Sequence, residues 1–157
     1  MKKHSIVVLT MVIVVLALAT SAMAADPFVG TWKLNLAKSK FNDGWIPKSW
    51  TVRIKAMDNG LTMEGDLINA DGKVDHSEDT TYRFDGKDYL DPSSPGLFRS
   101  CTRPNANRYV CVFKQDGKET GRWVDVISRD GKTAILTDKG KNDKGQEYNN
   151  TYVWDRQ

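Results

Sequence analysis

Apolar and polar residues alternate with a period of two along much of this chain. The alternation is clearest in residues 50–57 and 61–69, where side chains such as Trp50 and Val52 share one face and polar side chains take the other. This period is typical of half-buried β-strands. Asp58-Asn59-Gly60 separates the two segments and is typical of a tight hairpin turn. The pattern therefore predicts that the two strands pair with each other.

The same pattern continues to the end of the chain, and no segment after residue 26 shows sustained helical periodicity. Asp-Gly-Lys occurs four times between strand-like segments, which predicts four more tight turns; the copies begin at Asp71, Asp85, Asp116 and Asp130. The predicted strands are residues 28–36, 50–57, 61–69, 74–84, 87–90, 98–103, 107–115, 119–128, 132–138 and 147–155. Residues 38–47 form the longest irregular segment, with room for one helical turn.

Short sequential strands joined by tight turns predict an all-β fold with an up-and-down antiparallel order. We expect a β-barrel of about 8–10 strands, since closure removes the exposed edges of a sheet. An open sandwich is the alternative.

The N-terminal residues differ from the rest of the chain. Lys2 and Lys3 precede an apolar run over residues 6–19, and small residues follow at Ala22 and Ala24. This is the pattern of a cleaved bacterial-type signal peptide, and the apolar run is shorter than the ~20 residues of a membrane span. We expect residues 1–24 to be the signal peptide and residues 25–157 to form a single domain in the periplasm or outside the cell.

Removing residues 1–24 lowers the formal net charge from +3 to +1. With positive and negative charges so nearly equal in number, the chain has no excess of positive charge that would attract nucleic acid or an anionic membrane surface. We therefore expect neither as a partner.

The two cysteines, Cys101 and Cys111, are expected to form a disulfide because export places them in an oxidising compartment. Residues 103–108 read as a turn, and a turn centred on Ala106 sets the two cysteines opposite each other on neighbouring strands. Free thiols are the alternative.

The segment Phe28-Val29-Gly30-Thr31-Trp32-Lys33-Leu34 resembles the opening strand of the calycins, which include the lipocalins and the fatty-acid-binding proteins. With the residues around it, it is also similar to small exported bacterial lipocalin-like proteins. The resemblance implies structural roles for Gly30 and Trp32, with Trp32 closing one barrel end against a basic side chain. Arg156 is the nearest match for that side chain.

Two features depart from the fatty-acid-binding pattern. Residues 38–48 are too short for a helical lid, and Val124 and Asn150 stand where the resemblance implies inward arginines. Arg122 is a candidate substitute as a polar anchor. Tyr152 matches the tyrosine that the resemblance implies for ligand contact.

Aromatic side chains are frequent in the predicted strands and point to an apolar pocket or to a filled core. The candidate lining residues are Trp50, Met63, Tyr82, Phe84, Arg122, Trp123 and Tyr152. The favoured function is binding of a small hydrophobic molecule without catalysis. The alternative is a filled barrel that acts as an interaction or stress module of the cell envelope.

Candidate catalytic and metal chemistry is sparse. The expected mature chain has one histidine, His76, and the calcium-loop spacing around it fails because Leu67 occupies the first ligand position. Nucleophile-elbow, phosphate-loop and zinc-protease motifs are missing from the sequence. We therefore expect no enzyme activity, no metal and no cofactor.

Overall fold

The computed structural model describes residues 25–142 and 144–157, so the predicted signal peptide lies outside the described residues. Within that part the chain forms ten β-strands. They are β1 (Gly30–Leu34), β2 (Ser49–Met57), β3 (Gly60–Ile68), β4 (Val74–Arg83), β5 (Tyr89–Leu90), β6 (Leu97–Asn105), β7 (Arg108–Gln115), β8 (Lys118–Ile127), β9 (Thr133–Lys141) and β10 (Glu147–Arg156). In these residues, no helical segment has both the length and the apolar character needed to cross a bilayer.

All ten strands belong to one antiparallel sheet with the order β4-β3-β2-β1-β10-β9-β8-β7-β6-β5. Sequential strands are neighbours except for β4 and β5, which lie at the two edges of the sheet, and β1 pairs with β10 to join the two halves of the chain. The all-β, up-and-down prediction is confirmed.

The sheet curls into a half-barrel whose two edges, β4 and β5, share no ladder of backbone hydrogen bonds in the described residues. The edges meet at one end, where Asp85 forms an isolated bridge with Thr102 of β6. Nearby, Arg99 of β6 donates a hydrogen bond to the carbonyl oxygen of Thr81 at 2.9 Å. The expectation of closure is therefore met only at this end, and a gap separates the rest of β4 from β6.

Turn chemistry explains the hairpins. Asp116 and Gly117 both have positive φ (50° and 74°) between β7 and β8, as a two-residue hairpin of type I′ requires. Residues 38–47, where a helical turn had room, contain turns and a bridge of Lys40 with Thr151 but no helix.

The predicted disulfide is confirmed. Cys101 and Cys111 are directly opposite each other on β6 and β7, with Cα atoms 4.1 Å apart, and are bonded. Both side chains are buried, so the disulfide lies against the core.

One end of the half-barrel is sealed around Trp32. The guanidinium of Arg156 lies 4.2 Å from the centroid of the Trp32 ring and donates hydrogen bonds to the carbonyl oxygens of Val29 at 2.7 Å and Gly131 at 2.6 Å. The indole nitrogen of Trp32 donates to the carbonyl oxygen of Phe28 at 2.8 Å. These bonds tie the chain before β1 to the C-terminal strand.

Candidate functional site

The inward-facing side chains enclose a cavity of about 100 Å³, which we call the inner cavity. Its wall is largely aromatic. Four tryptophans contribute to it: Trp32, Trp50, Trp123 and Trp154. Phe28, Tyr82 and Tyr109 complete the aromatic part of the wall, and the aliphatic part comes from Val52, Ile54, Met63, Ala134 and Leu136.

Edge-to-face packing holds these rings in place. Trp50 and Trp154 have ring centroids 5.2 Å apart, and Phe113 packs against Trp123 at 4.8 Å. Such geometry is favourable for aromatic pairs. Most of the wall is therefore held by rings carried on strands, while Phe28 is contributed by the turn before β1.

Two polar residues of β4, Ser77 and Thr80, also line the inner cavity. Ser77 is exposed and Thr80 is half-buried, because β4 is an edge strand facing the gap. The inner cavity therefore reaches the surface at the gap beside β4.

The charged group of the cavity wall is Asp125, a residue of β8 that is only 7% exposed. The Tyr109 hydroxyl donates a hydrogen bond to Asp125 Oδ2 at 3.0 Å. Burial raises the pKa of Asp125 to about 6, although the bond from Tyr109 opposes this shift. The group is ionised at neutral pH inside an apolar wall.

A half-buried carboxylate with a similarly raised pKa lies outside the lining. Asp138 of β9 also has its pKa raised to about 6 by burial, against hydrogen bonds from Trp123 and Tyr148. Tyr148 in turn has its pKa raised to about 12 by burial and by the charge of Asp138. Asp138 provides a useful comparison with Asp125, since it does not contact the inner cavity.

Of the seven predicted lining residues, four line the inner cavity, two lie in the core beside it, and Arg122 lies on the outer surface. Trp50, Met63, Tyr82 and Trp123 line the inner cavity. Phe84 packs against Tyr109 with ring centroids 5.4 Å apart, in the core but outside the lining. Tyr152 is likewise buried outside the lining, with its ring 5.3 Å from that of Phe41.

The prediction that Arg122 lines the cavity is wrong. Arg122 lies on the outer face of β8, exposed, and pairs with Glu119 at 3.1 Å. Successive residues of a strand point to opposite faces, and Trp123 points inward, so Arg122 and Val124 point outward. The sequence misleads here because Val124 and Val126 place apolar side chains on the outer face, while Asp125 places a charge on the inner one.

Asp125 was not predicted as a site residue. The signal that was available is a single acid in the apolar run Trp123-Val124-Asp125-Val126-Ile127. A charge at such a position must either face solvent or be buried with a partner. The face of the sheet to which the side chain points decides between the two.

No protein-family model matches the chain, and no curated protein sequence matches it. Solved structures do resemble it. A Schistosoma mansoni fatty acid-binding protein in complex with arachidonic acid has a TM-score of 0.57 and 14% identity, over 83% of this chain and 96% of that chain. The zebrafish ileal bile acid-binding protein complexed with cholic acid has a TM-score of 0.55 and 12% identity, over 83% of this chain and 99% of that chain.

A third similar structure is As-p18, an extracellular fatty acid-binding protein, with a TM-score of 0.52 and 14% identity over 84% of this chain and 97% of that chain. At these identities the likeness shows the fold alone, an antiparallel up-and-down sheet that curls into a half-barrel. The likeness spans almost the whole length of each of the three proteins.

Proposed function

We propose that this protein binds a small apolar molecule in the inner cavity and does so without catalysis. The observation that carries the proposal is the aromatic cavity itself, which lies inside the sheet and reaches the surface beside β4. Apolar concave sites with a few polar groups are the usual form of a small-molecule site. The three similar structures are of proteins whose names describe ligand binding.

The cavity volume limits the size of the ligand. About 100 Å³ is well below the ~300–1,000 Å³ of sites for drug-sized molecules. It is closer to the ~150 Å³ apolar cavity that accommodates benzene in an engineered protein. A ligand with one ring fits with small side-chain adjustments, whereas a molecule the size of arachidonic or cholic acid requires the gap beside β4 to widen.

Bromobenzene is a suitable probe, because its heavy atom quenches tryptophan fluorescence on contact. Four of the five tryptophans line the inner cavity, while Trp45 is 37% exposed in the loop before β2. We expect saturable quenching with one binding site. A Trp45→Phe variant removes the outer signal and is expected to leave the saturable part unchanged.

A cavity-filling substitution provides the structural test. Ala134 lines the inner cavity, so Ala134→Leu is expected to occupy it and abolish saturable quenching. Thr137→Leu adds bulk on the outer face of the same strand and serves as the matched control. Both variants are checked by cooperative thermal unfolding. Saturable quenching that survives in folded Ala134→Leu, or quenching that never saturates in the wild type, contradicts the proposal.

We also propose that the protein acts after export, in the periplasm or outside the cell. The Cys101–Cys111 disulfide supports this proposal, since disulfides persist in oxidising compartments. Fractionation of the source cells with intact-mass measurement tests it. The expected species lacks residues 1–24, carries the disulfide and is recovered outside the cytoplasm; a full-length chain retained with the cytoplasm contradicts the proposal.

A further inference from the structure

Asp125 has an unused hydrogen-bonding atom at the wall of the inner cavity. Its Oδ2 accepts the hydrogen bond from Tyr109 at 3.0 Å, and the backbone N–H of Val126 is a second donor near the carboxylate. Its Oδ1 is buried and has no hydrogen-bond partner of its own in the part of the chain that the structure describes. Buried polar atoms nearly always have a partner. Asp125 lines the inner cavity, so its unpartnered oxygen is available to accept a hydrogen bond from a ligand that enters the cavity.

The charged and titratable side chains around Asp125 do not supply that donor. Tyr109 of β7 already bonds to Oδ2, and burial raises the pKa of Tyr82 of β4, so both stay neutral. Arg99 of β6 is buried but committed elsewhere: its Nη1 lies 2.7 Å from Asp91 Oδ2, and its guanidinium stacks on the Tyr82 ring at 3.9 Å.

We propose that Asp125 makes the inner cavity selective for small amines, in which one apolar ring fills the cavity and a protonated amino group donates to Asp125 Oδ1. This inference rests on the proposed function and names its ligand class. The carboxylate has already been removed from water when the chain folds, so an arriving ammonium group gains a charge-assisted hydrogen bond and pays only for its own desolvation. A ligand carboxylate would face a like charge, with Arg99 already neutralised by Asp91.

Three probes with the same ring test the selectivity: toluene, benzylamine and benzoate. Each competes with bromobenzene at pH 8, where Asp125 is ionised and benzylamine is protonated. Benzylamine is expected to bind at least about ten-fold more tightly than toluene, as a hydrogen bond to a charged group allows. Benzoate is expected to be the weakest of the three.

Asp125→Asn keeps the shape of the side chain and removes the charge. The variant is expected to lose the preference for benzylamine over toluene, while its affinity for toluene changes little. Asp138→Asn is the matched control, because Asp138 has a similarly raised pKa but lies outside the lining. It is expected to retain the preference.

The outcomes separate the two proposals. If toluene binds the wild type and benzylamine binds no more tightly, the inference is overturned and the proposed function stands. If neither bromobenzene nor toluene binds, the proposed function fails. The probe series in wild-type protein decides the inference even if a variant does not fold, and a preference that persists in folded Asp125→Asn also overturns it.

Discussion

Asp125 links the ionisation of one residue to the folding of the whole domain. Burial raises its pKa from 3.8 to about 6, so the folded chain holds the proton more tightly than the unfolded chain does. The stabilisation from this proton is fully present below about pH 4 and is lost as the pH rises through 6. At pH 8 the buried charge costs about 3 kcal/mol relative to the protonated group.

Asp125→Asn removes this titration and is expected to change the pH dependence of stability. Relative to the wild type, the free energy of unfolding of the variant should rise by about 2–3 kcal/mol between pH 4 and pH 8. Urea unfolding at a series of pH values measures the difference, in which the contribution of Asp138 cancels. Two curves that stay parallel across this range would contradict the buried position of the Asp125 charge.

Gly30 lies against the guanidinium of Arg156 that packs on Trp32. Its φ is +140°, and a Cβ atom placed there would lie 2.6 Å from Arg156 Nη1. Gly30→Ala is expected to push the guanidinium off Trp32 and away from the carbonyl oxygens that it binds. We expect a loss of about 3 kcal/mol or more in the free energy of unfolding, measured by urea unfolding, with a change in the near-ultraviolet circular dichroism of the tryptophans.

Gly117→Ala is the control for backbone strain alone. Gly117 has φ +74°, and a Cβ atom there would contact nothing within 4 Å. Its substitution is expected to cost only the strain of a left-handed residue, about 1–2 kcal/mol. Equal losses in the two variants would show that the contact with Arg156 contributes nothing beyond strain.

At the scale of the strand, local signals predicted most of the fold. The Asp-Gly turns and the alternation between them are properties of adjacent residues, so most hairpins and the antiparallel order followed from the sequence. The tight turn predicted at Asp85 is wrong: this segment joins β4 to β5, which lie at opposite edges of the sheet and do not pair. The face of β8 did not follow. Its inner face combines Trp123 with Asp125, and its outer face carries Val124 and Val126, so hydrophobicity does not decide between the two faces, and pairing with both β7 and β9 fixes them.

The β6–β7 hairpin carries the disulfide, and its contribution to stability can be measured. The cross-link closes a short loop with a sequence separation of 10, for which the chain-entropy account gives about 3 kcal/mol. Replacing both Cys101 and Cys111 by Ala is expected to lower the free energy of unfolding by at least that amount. Urea unfolding with and without reductant measures the effect.

Reduction distinguishes the contribution of the cross-link to stability from the contribution of the packing of the two side chains. Reduced wild-type protein keeps both sulfur atoms and is expected to lose only the contribution of the cross-link. The double alanine variant should not respond to reductant. If complete reduction leaves the free energy of unfolding of the wild type unchanged, the backbone hydrogen bonds between β6 and β7 are sufficient to hold the hairpin.

At the scale of the whole molecule, the sequence predicted a barrel but neither its gap nor its volume. Closure depends on whether β4 reaches β6, and that distance is set by the curl of ten strands together. Cavity volume depends on how large rings such as Trp50 and Trp154 pack across the interior. Trp50, Met63, Tyr82 and Trp123 line the inner cavity, as the alternation along the strands predicted, but the alternation does not show how much space they leave.

The central claim is that the inside of the half-barrel binds a small apolar molecule, and methyl NMR during a toluene titration tests it most directly. Val52, Ile54 and Leu136 line the inner cavity, whereas Val126 and Ile135 are exposed on the outer face, 38% and 43% respectively. Toluene is expected to shift the inner methyl signals saturably and to leave the outer ones in place. Unshifted inner methyl signals, or shifts confined to Val126 and Ile135, would contradict the account.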